Sequence, residues 1–410
     1  SSDVGASELD RLRFGSTVAL SGDGQRFVTG ALALSSGGEA FVYERGAAGW
    51  VEEAELRPAT PVSLFGFTVA MDRTGTRAVV STGPQPGSSP GLTTPRLVLV
   101  FRRTGTAWSE EARLAPVGGL SSRFSSILLA LAISDAGDRV VVGDEGAQRG
   151  TDLGRAYVFR RTGTSWALEA TLEPTNRPAF GEAVALSGDG SRLLVSQPSD
   201  AGGTGVVFER TGTTWTLDAT LRPTGGGRLF GESLALSGDG RIAAVGGPRS
   251  SGSTAEPANG QVAIFERGAT TWSQVTLLSG AVLSQREFGR ALDLAGDGSR
   301  LLVSAPFAGI RVPFEGAGYV YLLAEGLGDA CTAAADCATG HCVDGVCCFS
   351  ACDGQCEACA EPGREGSCVA IDGLPRGTRA ACATDGTLCG GTCDGTTRSA
   401  CAVAYATVEC

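Results

Sequence analysis

Lysine is absent from all 410 residues: the 33 basic side chains are arginines, set against 44 acidic ones for a net charge of −11. A surface of that sign excludes nucleic acid as the main partner, because phosphate contacts need a positive face. Histidine is nearly absent as well. The one histidine, His341, lies in the C-terminal segment, which removes Ser-His-Asp chemistry and histidine-ligated zinc from the rest of the chain. There is no long apolar run either. The longest, Ile127 to Ile133, falls far short of the roughly 20 residues a membrane helix requires, so no membrane span is expected. The opening SSDVGASELD has neither the basic nor the apolar region of an export signal, and the numbering reads as that of a processed chain.

Cysteine is missing up to Ala330, and then 14 follow: Cys331, Cys337, Cys342, Cys347, Cys348, Cys352, Cys356, Cys359, Cys368, Cys382, Cys389, Cys393, Cys401 and Cys410. Such density predicts a disulfide-stapled module of an oxidising compartment, with seven bridges whose connectivity the spacing does not give. Zinc is the weaker reading, since Cys356-x-x-Cys359 lacks a second pair at finger spacing. A boundary near Gly326 divides residues 1–325 from a small irregular cysteine-rich domain, 326–410. An extracellular or cell-surface location follows.

What is abundant is glycine, 61 residues, with only 19% charged and 6% aromatic residues. That profile suits turns and strands rather than helices. A sentence is also repeated. Six units open on Phe14, Phe65, Phe124, Phe180, Phe230 and Phe288, each followed by Gly except Phe124, with spacings of 51, 59, 56, 50 and 58 residues. Each unit carries an alternating segment closed by SGDG or a variant, then a second strand (RFVTG, RAVVS, RVVVG, RLLVS, RIAAVG, RLLVS). A loop of variable length leads to a third strand ending in an aromatic. Tryptophan follows that aromatic by seven positions in five units, at Trp50, Trp108, Trp166, Trp215 and Trp272, opening a fourth strand. Four strand signals in a fifty-residue period predict an all-β fold, a six-bladed β-propeller of four-stranded antiparallel blades. The recurrent Trp and Phe are expected to be blade-packing residues rather than a ligand platform, because packing recurs in every blade and binding does not.

The set formed by FG, a Gly-Ala-Pro-like segment after the second strand (Gly30, Gly246, Ser304), the aromatic strand and Trp resembles the FG-GAP repeats of integrin α-subunit propellers and their bacterial relatives, over about residues 14 to 324. The cysteine-rich run resembles modules of secreted and surface proteins of myxobacteria. Calcium, which the FG-GAP resemblance implies for some blades, needs roughly six to eight oxygens. Here Asp23, Asp189 and Asp239 stand alone in SGDG and Asp297 in AGDG, Asp135 and Asp138 occupy DAGD, and RTGT of the second unit has no carboxylate. These aspartates are read as turn formers, with no cofactor expected.

The sixth unit ends after Tyr321 without Trp or a fourth strand, which leaves an edge unless the N-terminus completes it. Length variation is confined to one face, in 83–96, 144–154, 246–260 and 306–318. On a rigid scaffold such a face is where recognition is built. The functional expectation is a non-enzymatic surface protein that binds a protein or glycan on that face, or that self-associates into a fibre or coat. The alternative is a polysaccharide-acting enzyme using carboxylates.

Overall fold

Period-two alternation turned by Asp-Gly or a related Gly turn gives antiparallel hairpins among the described residues between 14 and 323. The computed structural model describes residues 14–31, 37–62, 64–83, 96–116, 120, 129–145, 154–173, 179–198, 203–224, 230–249, 260–268, 270–280, 285–308, 316–323, 329–337, 340–348, 351–361, 368–377, 379–382, 392–395 and 401. The chain is all-β, a six-bladed propeller followed by a region crossed by disulfides. Blade 1 is built from Phe14–Leu20, Arg26–Ala31, Glu39–Gly46 and Gly49–Leu56; blade 2 from Phe65–Met71, Arg77–Thr82, Val98–Thr104 and Ala107–Leu114. Blade 3 comprises Ala130–Ile133, Arg139–Asp144, Arg155–Thr162 and Ser165–Leu172; blade 4 comprises Val184–Leu186, Arg192–Gln197, Thr204–Thr211 and Thr214–Leu221. Blade 5 follows with Ser233–Leu236, Ile242–Gly247, Gln261–Arg267 and Trp272–Ser279. Blade 6 shows three strands among the described residues, Leu292–Leu294, Arg300–Ala305 and Ala317–Leu322.

Consecutive sheets bury their facing apolar sides against one another, and five cores fill the five junctions from blade 1 to blade 6. The Phe-Gly pair makes four of these junctions. Phe65, Phe180, Phe230 and Phe288 are at most 2% exposed. The glycine that follows turns in the left-handed region, φ 82° at Gly66 and 91° at Gly181. A Cβ there would stand 2.0 Å from the Glu39 carbonyl oxygen or 2.6 Å from that of Arg155, on the third strand of the preceding blade. Glycine is required twice over, for conformation and for contact.

Blade 1 departs from this pattern, and with it two expectations fail. Phe14 is 39% and Trp50 44% exposed, and nothing lies within 4 Å of where a Gly15 Cβ would be. Instead of sitting between sheets, they join Phe27, Phe41 and Tyr43 in an aromatic cluster on the face of blade 1 that turns away from blade 2. On blade 6, Leu302 and Val320 are exposed on the face opposite its core. The physical reason is that, among the described residues, this face of blade 1 joins no interblade core, and the facing residues Leu302 and Val320 of blade 6 are themselves exposed. Phe124 lies outside the described residues.

The turn aspartates bond locally. Asp189 Oδ1 accepts from Ser187 Oγ (2.7 Å) and Ser191 N (2.9 Å), and Asp23, Asp239 and Asp297 do likewise. Blade 2 exchanges the roles: Asp72, at the position of the turn serine, accepts from Thr76 N (2.7 Å), Arg77 N (3.0 Å) and Thr74 Oγ1 (3.2 Å).

Among the described residues of the C-terminal region six disulfides are formed: Cys331–Cys342, Cys337–Cys347, Cys348–Cys359, Cys352–Cys368, Cys356–Cys393 and Cys382–Cys401. The seventh bridge expected from the count falls on Cys389 and Cys410, outside the described residues. The close groups of cysteine sulfurs are these bridges themselves.

Candidate functional site

Three places concentrate charge, and the first is structural. In every four-stranded blade the pairing of strands three and four slips just before the aromatic, at Val42/Tyr43, Val100/Phe101, Val158/Phe159, Val207/Phe208 and Ile264/Phe265. The unpaired residue of this bulge is the third after Trp: Glu53, Glu111, Glu169, Asp218 and Val275. A bulge re-aims its side chain, and here it aims the acid at the next blade. Trp108 Nε1 donates to Glu53 Oε2 (3.2 Å), Trp166 to Glu111 (3.3 Å), Trp215 to Glu169 (2.9 Å) and Trp272 to Asp218 (2.9 Å).

Arginines complete the node. Arg26 Nε at 3.0 Å and Arg103 Nε at 2.6 Å both donate to Glu53, and Arg77 and Arg161, each at 3.0 Å, both donate to Glu111. Burial pushes the Glu111 carboxyl up, but Arg77, Trp166 and Arg161 outweigh it and hold it below the ordinary value. This explains why Trp recurs: four of the five span a junction by a charge-assisted bond as well as by area. The acids were not singled out from the sequence, although a fixed offset of three from Trp would have found them.

The second place is the junction of blade 5 with the cysteine-rich region. By sequence the second strand of blade 5 aligns on its arginine, but the pairing Leu236↔Ala243, against Leu186↔Leu193 in blade 4, puts Ile242 where Arg192 stands and Arg241 one residue earlier. After SGDG, Arg241 takes the place of Ser191 of blade 4, the segments SGDGRIAAVGGP and SGDGSRLLVSQP being equal in length. A shift of one residue reverses the face. Arg241 meets Glu357 of the cysteine-rich region, Nη1 to Oε2 3.3 Å, with both side chains under 10% exposed. Glu357 also accepts from Gly354 N (3.0 Å).

The third place is the mouth of the channel on the Phe-Gly face. The residue after each FG is Glu182 in blade 4, Glu232 in blade 5 and Arg290 in blade 6. Glu145, just past the second strand of blade 3, and Arg249, past that of blade 5, join them. Glu232 is held by Arg249 (2.8 Å) and Arg290 (3.4 Å). Burial, then the charges of Glu145 and Glu232, raise the Glu182 carboxyl to about 7, and Arg249 and Arg290 offset only part of this. Near neutrality this carboxyl exists both as donor and as acceptor, so the mouth offers donors and acceptors in one small area. The four variable loops that border this face lie largely outside the described residues. A cleft of about 510 Å³ also opens at the rim between blades 4 and 5, lined by Asp218, Arg222, Thr224, Trp272 and Gln274 among others.

No protein-family model matches the chain, and no curated protein matches it. Among solved structures, a candidate 6-phosphogluconolactonase from Bacteroides uniformis is 12% identical over 75% of this chain and 85% of its own, with a TM-score of 0.49. The periplasmic gluconolactonase PpgL of Pseudomonas aeruginosa is 15% identical over 75% of this chain and 88% of its own, TM-score 0.45. The β-propeller domain of Cps50 (Swd1) from Myceliophteria thermophila is 12% identical over 75% of this chain and 97% of its own, TM-score 0.41. A likeness of this degree says nothing of a ligand or a reaction.

Proposed function

We propose that the protein is an extracellular, non-enzymatic surface protein that binds a protein or glycan ligand at the channel mouth of its Phe-Gly face. The observation that carries this reading is the group Glu145, Glu182, Glu232, Arg249 and Arg290. These charges lie apart from the Arg-acid-Trp nodes that join the blades, so the repeat architecture does not account for them. The extracellular part rests on the six bridges, which need an oxidising compartment. The resemblance of the repeat to FG-GAP propellers agrees with a binding role.

The test is a glycan array and a set of extracellular matrix proteins probed with the purified chain and with Arg290→Ala. A ligand whose affinity falls by about tenfold or more in the variant supports the reading, that being the usual weight of a buried interfacial charge. No ligand on either panel, or equal binding by both proteins, overturns it. A second reading, a polysaccharide-acting enzyme, is favoured by the raised Glu182 carboxyl beside Glu145, which is how a general acid is prepared. Release of reducing ends from a polysaccharide panel, lost in Glu182→Gln, would establish it in place of the first.

A further inference from the structure

Four junctions share one pattern. The bulge acid that accepts from the Trp of the next blade opens the same short run on each fourth strand: Glu53-Ala54-Glu55-Leu56, Glu111-Ala112-Arg113-Leu114, Glu169-Ala170-Thr171-Leu172 and Asp218-Ala219-Thr220-Leu221. Acid and Trp are lost together at the fifth junction, where blade 5 has Val275 and blade 6 has no Trp, all five lying in blades 1 to 5. Blade 1 keeps its donors. Arg45 and Trp50 pair across its third and fourth strands as Arg103 and Trp108 do in blade 2, and both are exposed. On blade 6, Arg300 holds the position of Arg26, Arg77 and Arg139, which reach the acid of their own blade, and it is exposed as well. Among the described residues none of these three groups has an acid partner.

The sheet faces around these donors are the ones that other junctions bury. Val18 and Leu20 of blade 1 stand where Val69 and Met71 stand in blade 2, yet they are 64% and 57% exposed against 6% and 8%. Leu302 and Val320 of blade 6 stand where Val28 and Val42 stand in blade 1, and they too are exposed. Among the described residues Ala317–Leu322 pairs only with Arg300–Ala305, so its other side is an edge that can take one more strand. We infer that the junction of blade 6 with blade 1 is a docking site for an acidic β-strand of a partner protein, with the pattern Glu/Asp-Ala-x-Leu. The strand adds to the edge of Ala317–Leu322. Its carboxylate takes the donors Arg300, Arg45 and Trp50, as Glu111 takes Arg77, Arg161 and Trp166. By the pairing of blade 3, its alanine opposes Val320 and the next residue opposes Tyr319. The pattern occurs nowhere else in the 410 residues, and its four copies are engaged between blades, so a second copy of this chain has none to spare.

The test titrates the full chain with the peptide of residues 167–173, ALEATLE, up to millimolar concentration, and with the same peptide carrying Glu169→Gln. Calorimetry reads the affinity, and hydrogen exchange along Ala317–Leu322 reads the place, because every second amide of that strand points away from Arg300–Ala305. The acidic peptide is expected to bind and to slow those outward amides. The Gln peptide, and the chain variants Arg45→Ala and Arg300→Ala with the acidic peptide, should each bind about tenfold or more weakly. Trp50→Phe keeps an aromatic ring, removes the Nε1 donor and should weaken binding severalfold. No binding, equal binding of the two peptides, or binding that leaves the outward amides fast overturns the proposal. Slow outward amides in the free chain overturn it as well, since a segment of this chain or a second copy then already holds the edge.

Discussion

Arg241 of blade 5 and Glu357 of the cysteine-rich region form an ion pair 3.3 Å long and shielded from water, which ties the two halves of the chain together. Removing one partner strands the other charge in a buried site. We expect Arg241→Ala or Glu357→Ala to cost about 3 to 5 kcal/mol, and the pair Arg241→Met with Glu357→Leu much less. Thermal unfolding of the three variants checks this. Similar losses for the single and the double changes would mean that packing, not charge, holds the contact.

Bulge acids predict a contrast between blades. Glu111 receives Arg77, Arg161 and the Trp166 indole, so Glu111→Ala should destabilise by about 3 kcal/mol or more. Val275 occupies the same repeat position at 58% exposure, so Val275→Glu should stay within about 0.5 kcal/mol. Urea midpoints at constant m-value measure both.

The Phe-Gly glycines predict a second contrast. Gly181→Ala meets a left-handed backbone and a carbonyl oxygen 2.6 Å away, whereas Gly15→Ala meets only the backbone cost. The latter is about 1 kcal/mol, and Gly181→Ala should exceed it severalfold. Equal melting temperatures for the two variants would contradict the junction described for blades 3 and 4.

Glu182 predicts a pH dependence. Its carboxyl titrates at about 7 in the folded chain against 4.5 when unfolded, so the folded state holds the proton more tightly. Stability therefore falls as pH rises from 4.5 to 7 and levels off above, by about 3 kcal/mol for this group. Glu182→Gln should flatten that fall, matching the wild type near pH 4 and exceeding it at pH 8 in thermal melts.

Reduction should separate the two regions. All described bridges lie beyond Ala330, so a reductant should release the protection of the C-terminal region while central strands such as Arg77–Thr82 keep theirs. Hydrogen exchange with and without the reductant reads both at once.

Phe180-Gly181, the SGDG turns and Trp166 were legible as repeat positions because each serves the local geometry of one blade: a left-handed turn, a hairpin, a strand start. The number of blades followed from the same periodicity. What lay beyond reach was decided between blades. Glu111 matters because a bulge in its own blade turns it toward Arg161 and Trp166 of the next. Arg241 reads as one more strand arginine, but the pairing puts it at the position of Ser191, on the opposite face, against Glu357. Phe14 and Trp50 obey the repeat in sequence and yet stand half exposed. Local hydrogen bonding and alternation fix what each unit is, and so the sequence determined the blades by itself; which side chains meet across two sheets depends on register and on the neighbour actually present, and only the assembled ring decides that.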